Sequence, residues 1–226
     1  IEMYPLLARV ELTRLLDSNQ LSATERVAAY QGINTLAERL FFSAKIVPGD
    51  TISQSYMVKK GDSLARIVKN EKLGLDWRFI QRINGLANER ALHPDMRLKL
   101  PVGPFDAEVV KADFRLNIYS GTGDQRVMVA SFPCGLGAED STPVGTFKVR
   151  TNSKLIDPEW RNPRTGERFA SNDPRNPIGE RWIGLQGADA SSAMFTQYGI
   201  HGTVEPQSIG KQMSMGCVRL SNAEVQ

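Results

Sequence analysis

Apolar positions follow three different rhythms along this chain. In the first fifty residues they recur at helical steps. Val27, Ala28, Tyr30, Ile33, Leu36, Ala37, Leu40 and Phe41 lie mostly three and four apart, on one side of a helix with 3.6 residues per turn. Ser22 followed by Glu25 fits a capping box that opens this helix. A similar stripe runs from about Glu2 to Leu16, and Asp17-Ser18-Asn19 separates the two. The pattern predicts a helical hairpin over residues 1–50. Its apolar face is expected to pack on itself or on the following domain, with docking of a partner as the other reading.

From about Ser55 to Gly103 the rhythm is mixed. Tyr56-Met57-Val58 reads as a strand, Ile67-Val68 and Phe79-Ile80 with Ile83 as two short helices, and Leu98-Lys99-Leu100-Pro101 as a closing strand. Gly61-Asp62 and Asn84-Gly85 supply turn chemistry between them. From Phe105 onward, two-residue alternation takes over. Phe114, Leu116 and Ile118 alternate with Arg115 and Asn117, a glycine-rich turn follows, and Val127 and Val129 continue the alternation, which predicts a β-hairpin and a mainly-β core. Residues 157–177 are rich in Pro, Asn, Arg and Asp without sustained periodicity. A loop of that length inside a domain is usually functional or mobile.

The expected fold class is therefore α+β and multidomain: a helical region over 1–50, a small βααβ module over 55–103 and a mainly-β domain over 105–226. The 226 residues, 41% hydrophobic and 23% charged, suffice for one good core and one small one. No apolar run approaches the length of a membrane span, and the first residues lack the basic, apolar and small-residue order of an export signal. The chain begins at Ile1 rather than Met, which leaves room for an export signal removed by processing or by trimming of the chain.

Charge is unevenly placed. Residues 55–103 hold ten Lys and Arg against five Asp and Glu, whereas the whole chain carries only +3. The excess is local to the small module. It lacks a recognition helix or an aromatic stacking motif, which argues against nucleic acid as its reader. The glycine runs at Gly121-Thr122-Gly123 and Gly135-Leu136-Gly137 complete neither a dinucleotide fingerprint nor a phosphate loop. His93, Cys134, His201 and Cys217 lack the close paired spacing of structural zinc sites, so no metal is expected.

One of the two cysteines and one of the two histidines lie close together, in His201-Gly202-Thr203 and Ser214-Met215-Gly216-Cys217-Val218-Arg219-Leu220. A cysteine attacks as thiolate, and free cysteine with a pKa of about 8.5 needs a base or a positive field to do so at neutral pH. His201 is the candidate base, and the N–H groups around Gly216 and Cys217 are candidate donors to a developing oxyanion. A lone cysteine or histidine is more often a buried core residue. The pair, each member beside a glycine, favours chemistry. Because a Cys134–Cys217 disulfide would silence the nucleophile, Cys134 is expected to be a buried thiol.

Tyr198-Gly199-Ile200-His201-Gly202-Thr203, Ser208-Ile209-Gly210 and Ser214 to Leu220 closely resemble the signature of the L,D-transpeptidases, bacterial enzymes that cross-link peptidoglycan. Thr142-Pro143-Val144-Gly145-Thr146-Phe147, Asn176-Pro177-Ile178-Gly179 and Arg181-Trp182-Ile183-Gly184-Leu185 resemble upstream parts of the same family, from about Ala107 to the end of the chain. Met215 stands where many members carry histidine. The resemblance implies Cys217 as nucleophile and His201 as base, with Gly202, Ser214 and Gly216 completing the catalytic segment. Arg219, Tyr198, Thr203 and Trp182 are implied to contact substrate. Arg219 can hold a substrate carboxylate or pair with a structural acid. The 157–177 stretch would cover the site, with Trp160 and Trp182 as walls or as core residues.

The preceding module, with Val58-Lys59-Lys60-Gly61-Asp62-Ser63-Leu64, Asn84-Gly85-Leu86 and Leu98-Lys99-Leu100-Pro101, resembles the lysin motif (LysM), which binds N-acetylglucosamine polymers. By that likeness its groove involves Gly61, Asp62, Ser63, Leu64, Asn84 and Leu86, although ordinary turn and core roles account for the same residues. The implied enzyme works outside the cytoplasm on peptidoglycan stem peptides and glycan strands, needs no cofactor, and is acylated by carbapenems. Hydrolysis of the same acyl-enzyme, an L,D-carboxypeptidase activity, and a non-catalytic LysM wall-binding protein are the alternatives. The resemblance also implies chain beyond Gln226.

Overall fold

The computed structural model describes residues 4–18 and 20–226. The start of the first predicted stripe at Glu2 and the turn residue Asn19 lie outside the described residues. The chain forms two compact units, one of residues 1–108 with 117–131, the other of 109–116 with 132–226.

In the first unit, α1 (Pro5–Asp17) starts with proline in its first turn, where a missing N–H costs nothing. Helix α2 (Ala23–Leu40) opens on the anticipated box, in which Ser22 Oγ accepts from the Glu25 amide and the Glu25 carboxylate accepts from the Ser22 amide. Its buried face is Ala29, Tyr30, Ile33, Leu36, Ala37 and Leu40, whereas Val27 stays exposed. The hairpin packs on itself and on Tyr119 and Met128. Three polar links fix that packing. Thr13 Oγ1 accepts from the Met128 amide at 3.0 Å, Asn34 Oδ1 accepts from the Ser131 amide at 3.1 Å, and Tyr119 donates to Asp17 at 3.2 Å.

The βααβ order appears as read. Strand β1 (Ser53–Met57), α3 (Leu64–Asn70), α4 (Trp77–Ile83) and β2 (Arg97–Pro101) follow one another, with β1 antiparallel to β2 from Ser53↔Pro101 to Met57↔Arg97. Val58, Leu64, Ile67, Ile80, Leu98 and Leu100 form the core. Phe41, Phe42, Phe79 and Phe105 cluster beside it, with ring centroids 5.2–6.2 Å apart. Strands β3 (Phe105–Val110), β4 (Arg115–Ser120) and β5 (Val127–Pro133) make a three-stranded sheet in that order, and the chain passes between the two units within them.

The second unit is mainly β, as expected. Its main sheet runs β13 (Val218–Arg219), β11 (Gly199–His201), β10 (Arg181–Gly187), β7 (Phe147–Ile156). Strand β10 is antiparallel to both its neighbours, and β11 is parallel to β13. A short parallel pair joins β6 (Leu136–Gly137) to β12 (Gln212–Ser214). The 157–177 stretch is more ordered than its composition suggested. It contains a hairpin of β8 (Trp160–Arg161) with β9 (Arg168–Phe169), in which the Trp160 and Phe169 rings lie 5.8 Å apart. Among the described residues, no helix is long and apolar enough to cross a membrane, and both cysteines are free.

A buried charge cluster sits in the first unit. Arg9 Nη2 meets Asp50 Oδ1 at 2.8 Å, with side chains 7% and 1% exposed. Lys99, equally inaccessible, donates through Nζ to the Leu40 carbonyl at the end of α2. Burial lowers the Lys99 pKa while the charge of Asp50 raises it, so this one carboxylate offsets two buried cations. Removing one partner of a buried pair typically costs about 3–5 kcal/mol. Asp50→Ala is expected to lower folding stability by about that amount, read as a fall in the urea midpoint at unchanged slope.

Candidate active site

The strand register assembles the site. Ile200 pairs with Val218 and His201 with Arg219 in parallel, while Trp182 lies opposite His201 in the antiparallel pair. Successive strand side chains point to opposite faces. Trp182, His201 and Arg219 therefore share a face, and Cys217, two residues before Arg219, joins them. Residues from all these positions line one cavity of about 250 Å³. The Trp182 indole stacks on the His201 ring at 5.7 Å with 18° between planes. Gly199 makes room for it, because a Cβ there would lie 2.7 Å from Trp182 Cζ2.

The turn before Cys217 is shaped by one hydroxyl. Ser214 Oγ donates to the Cys217 carbonyl at 2.6 Å and accepts from the Gly216 amide at 3.1 Å. Gly216 has φ +117°, and a Cβ on it would come within 2.5 Å of Tyr198 Cε1, so glycine is required twice over. Tyr198 is held edge-on to Phe195 at 5.3 Å. The Gly216 amide is thus engaged within the turn, which leaves the Cys217 amide as the oxyanion donor to consider.

His201 is 4% exposed, and its Nδ1 lies 2.6 Å from the Gly202 carbonyl oxygen. A carbonyl only accepts, so Nδ1 carries the proton and Nε2 is left with its lone pair. Burial, with the nearby Arg219 charge, pulls the imidazole pKa down to about 4. Burial also pushes the Cys217 thiol up, opposed by the Gly199 backbone and by Arg219. At neutral pH the two groups are a neutral imidazole and a neutral thiol. Cys134 is fully buried and pushed up to about 12 by desolvation, which makes it an inert core thiol.

The remaining anticipated residues are placed as follows. Trp160, Pro163, Pro177 and Met215 also line the cavity, so the 157–177 stretch supplies part of its wall. Thr203 is buried and its Oγ1 accepts from the Glu205 amide at 3.0 Å. Arg219 donates from Nη1 to Glu205 Oε2 at 2.7 Å, with its side chain 13% exposed. Glu205 had not been marked by its residue type or spacing. Neither had Asn222, whose Oδ1 fills the space beside both Gly179 and Gly202, 2.2 and 2.1 Å from where a Cβ on each would sit. Two glycines facing one another across that carboxamide were the available signal.

In the βααβ module, Gly61 takes φ +86°. Asp62 accepts from the Tyr56 hydroxyl and the Lys59 amide, and Ser63 caps α3. Leu64 and Leu86 are core residues. The Asn84 carboxamide donates to the Ile80 and Lys99 carbonyls and accepts from the Lys99 amide, joining α4 to β2. Leu64, Asn84 and Leu86 hold the two loops in place and offer little side-chain surface to a ligand. Among the described residues, no group of three or more His, Cys, Asp and Glu could hold a metal.

Comparison with known proteins agrees with this arrangement. Residues 104–226 match the YkuD family, an L,D-transpeptidase catalytic domain, and residues 56–101 match the LysM domain. The Bacillus subtilis L,D-transpeptidase YqjB is 40% identical over 87 residues, 38% of this chain and 44% of that protein. The L,D-transpeptidase YkuD of the same organism is 42% identical over 64 residues, 27% and 34% of the two chains. The chain spans less than half the length of these curated relatives. L,D-transpeptidase 3 from Mycobacterium tuberculosis aligns over 58% of each chain at 13% identity, with a TM-score of 0.38.

Neutral resting groups have a kinetic signature. With the thiol raised and the imidazole depressed, iodoacetamide alkylation of Cys217 is expected to climb with pH through and beyond the free-thiol range near about 8.5. A preformed thiolate–imidazolium pair would instead give a plateau reached below neutrality. Intact mass against pH reads the outcome, with Cys134 unmodified in the native protein throughout.

Proposed function

The chain belongs to the YkuD family of L,D-transpeptidases and carries a LysM domain ahead of its catalytic domain, and on that premise we propose that it is a cysteine acyltransferase of peptidoglycan stem peptides. Cys217 Sγ attacks the carbonyl that joins an L-centre to the terminal D-residue of a tetrapeptide stem. His201 Nε2 takes the thiol proton as the C–S bond forms, then returns it to the departing nitrogen as the C–N bond breaks. A free D-amino acid leaves and a thioester remains. An acceptor amine then attacks the thioester, His201 removes the amine proton, and the thiol is regenerated as the new amide forms.

The observation that supports this reading is that Cys217 and His201 line one cavity with Trp160, Trp182 and Tyr198, and that the His201 Nδ1 is already bound to the Gly202 carbonyl. A fixed tautomer keeps the proton on Nδ1 and leaves the lone pair on Nε2, the atom assigned here to receive the thiol proton. The Cys217 amide would donate to the developing oxyanion, with Ser214 and Gly216 setting its direction. Exclusion of water by the indole rings favours an amine over hydrolysis of the thioester. The LysM loops at Gly61 to Leu64 and Asn84 to Leu86 would hold glycan strands, and the presence of a LysM domain supports work outside the cytoplasm.

Incubation with a carbapenem is expected to add one intact drug mass to the protein and none to Cys217→Ala; an adduct on the variant would refute the assignment. With a tetrapeptide stem and an added amine, Cys217→Ala should release no D-amino acid, and His201→Ala should be slower by about 10² to 10⁴-fold. Tripeptide product in place of the amide would identify a carboxypeptidase.

A further inference from the structure

Arg219 is held on every side. Its amide donates to the Gly135 carbonyl and its carbonyl accepts from the Gly135 amide, both at 2.8 Å, while its other edge is in register with His201. The guanidinium spends Nη1 on Glu205, and Nε is buried without a partner among the described residues. Glu205 is anchored in turn. Its amide donates to Thr203 Oγ1, and its carbonyl accepts from the Ser208 amide and hydroxyl at 2.9 and 2.7 Å. The carboxylate, about half exposed, therefore reaches back to Arg219 from a fixed loop.

The titratable groups facing Cys217 are few. Of the described residues lining its cavity, His201 comes from β11, Tyr198 immediately precedes that strand and Arg219 comes from β13; those from the 157–182 stretch and the 214–217 turn carry no charge. Arg219 is thus the one permanent cation in that wall. Two residues along a strand separate their Cα atoms by about 7 Å, near enough for the cation to act on a thiolate, while its pairing with Glu205 keeps it from serving as a free clamp for a substrate carboxylate.

We infer that Glu205 is a positioning residue for the nucleophile: it fixes the Arg219 guanidinium beside Cys217 and shields part of that charge, so that the pair sets how readily the thiolate forms. Arg219 already opposes the upward push of burial on the thiol. It also helps to keep His201 neutral and able to accept a proton. Withdrawing the carboxylate leaves more positive field at the sulfur. The inference deepens the acyltransfer reading and rests on it for its meaning, but its test needs no substrate.

The measurement is the pH midpoint of Cys217 alkylation by iodoacetamide in the full chain, followed by intact mass, with melting curves as a check of folding. Glu205→Gln is expected to lower the midpoint by about one pH unit and Arg219→Gln to raise it by a similar amount. The double variant should match Arg219→Gln alone, because Glu205 acts through the cation. Arg219→Lys keeps the charge and should keep the midpoint near the parent value, which decides the matter together with Glu205→Gln if Arg219→Gln does not fold. An unmoved midpoint in Glu205→Gln, or a shift that persists when Arg219 is absent, overturns the inference. The expected shifts without D-amino acid release from the parent would support the positioning role while defeating the acyltransferase reading.

Discussion

The parallel pairing of β11 with β13 is the constraint on which the site depends. Side-chain direction in a strand repeats every two residues, so a slip of one residue in the Ile200↔Val218 register would send Cys217 and Arg219 to the opposite face from His201. Several contacts outside the pair hold that register. Gly135 binds both backbone groups of Arg219, the Leu220 amide donates to the His201 carbonyl at 2.9 Å, and Ser214 ties the turn that delivers Cys217. The glycines serve the same end. Gly199 admits the Trp182 indole that stacks on the imidazole, and Gly216 admits the edge of Tyr198. His201 and Arg219 thus stand on short strands, with Cys217 in the turn that enters the second, and neighbours on both sides fix their placement.

Enclosure has opposite consequences for Cys217 and His201. Removing water disfavours both charged forms, so the thiol rises and the imidazole falls. The result is a weak acid beside a weak base, which looks poorly suited to nucleophilic attack. Under the proposed acyl transfer it suits a step in which proton and electron pair move together: Nε2 would receive the proton while sulfur bonds to carbon, and no isolated ion would have to persist in the cavity. The Gly202 carbonyl becomes more favourable to the ring as the imidazolium forms, because it already accepts from Nδ1.

Much of this was legible in the sequence because local patterns carried it. The Ser22–Glu25 box, the three- and four-residue spacing of α2, the strand–helix–helix–strand order of the small module and the paired His201 and Cys217 segments all depend on residues near one another in the chain. What escaped was long-range or concealed by composition. Residues 117–131 alternate as a hairpin should, but nothing local indicates that Tyr119 and Met128 complete the core of the N-terminal helices. The 157–177 stretch reads as a loop because its β8–β9 hairpin has only two residues on each side. Leu64, Asn84 and Leu86 sit at turn-like positions, and only three dimensions show that two lie in the core and that the third binds three backbone groups.

Two ion pairs of similar geometry illustrate how exposure decides what a charge contributes. Arg9–Asp50 and Arg219–Glu205 have N–O distances of 2.8 and 2.7 Å. In the first, both side chains are almost wholly enclosed and Lys99 adds a second cation, so the single carboxylate offsets two buried positive charges. That cluster constrains the packing of α1, the 50–52 segment and β2. In the second, water reaches the carboxylate but hardly reaches the cation. Solvent therefore screens the negative partner more than the positive one, and a net positive field is left on the enclosed side, where it favours negative charge on the Cys217 sulfur. The same two residue types act as a packing constraint in one place and as a field source in the other, and the difference lies in which partner faces water.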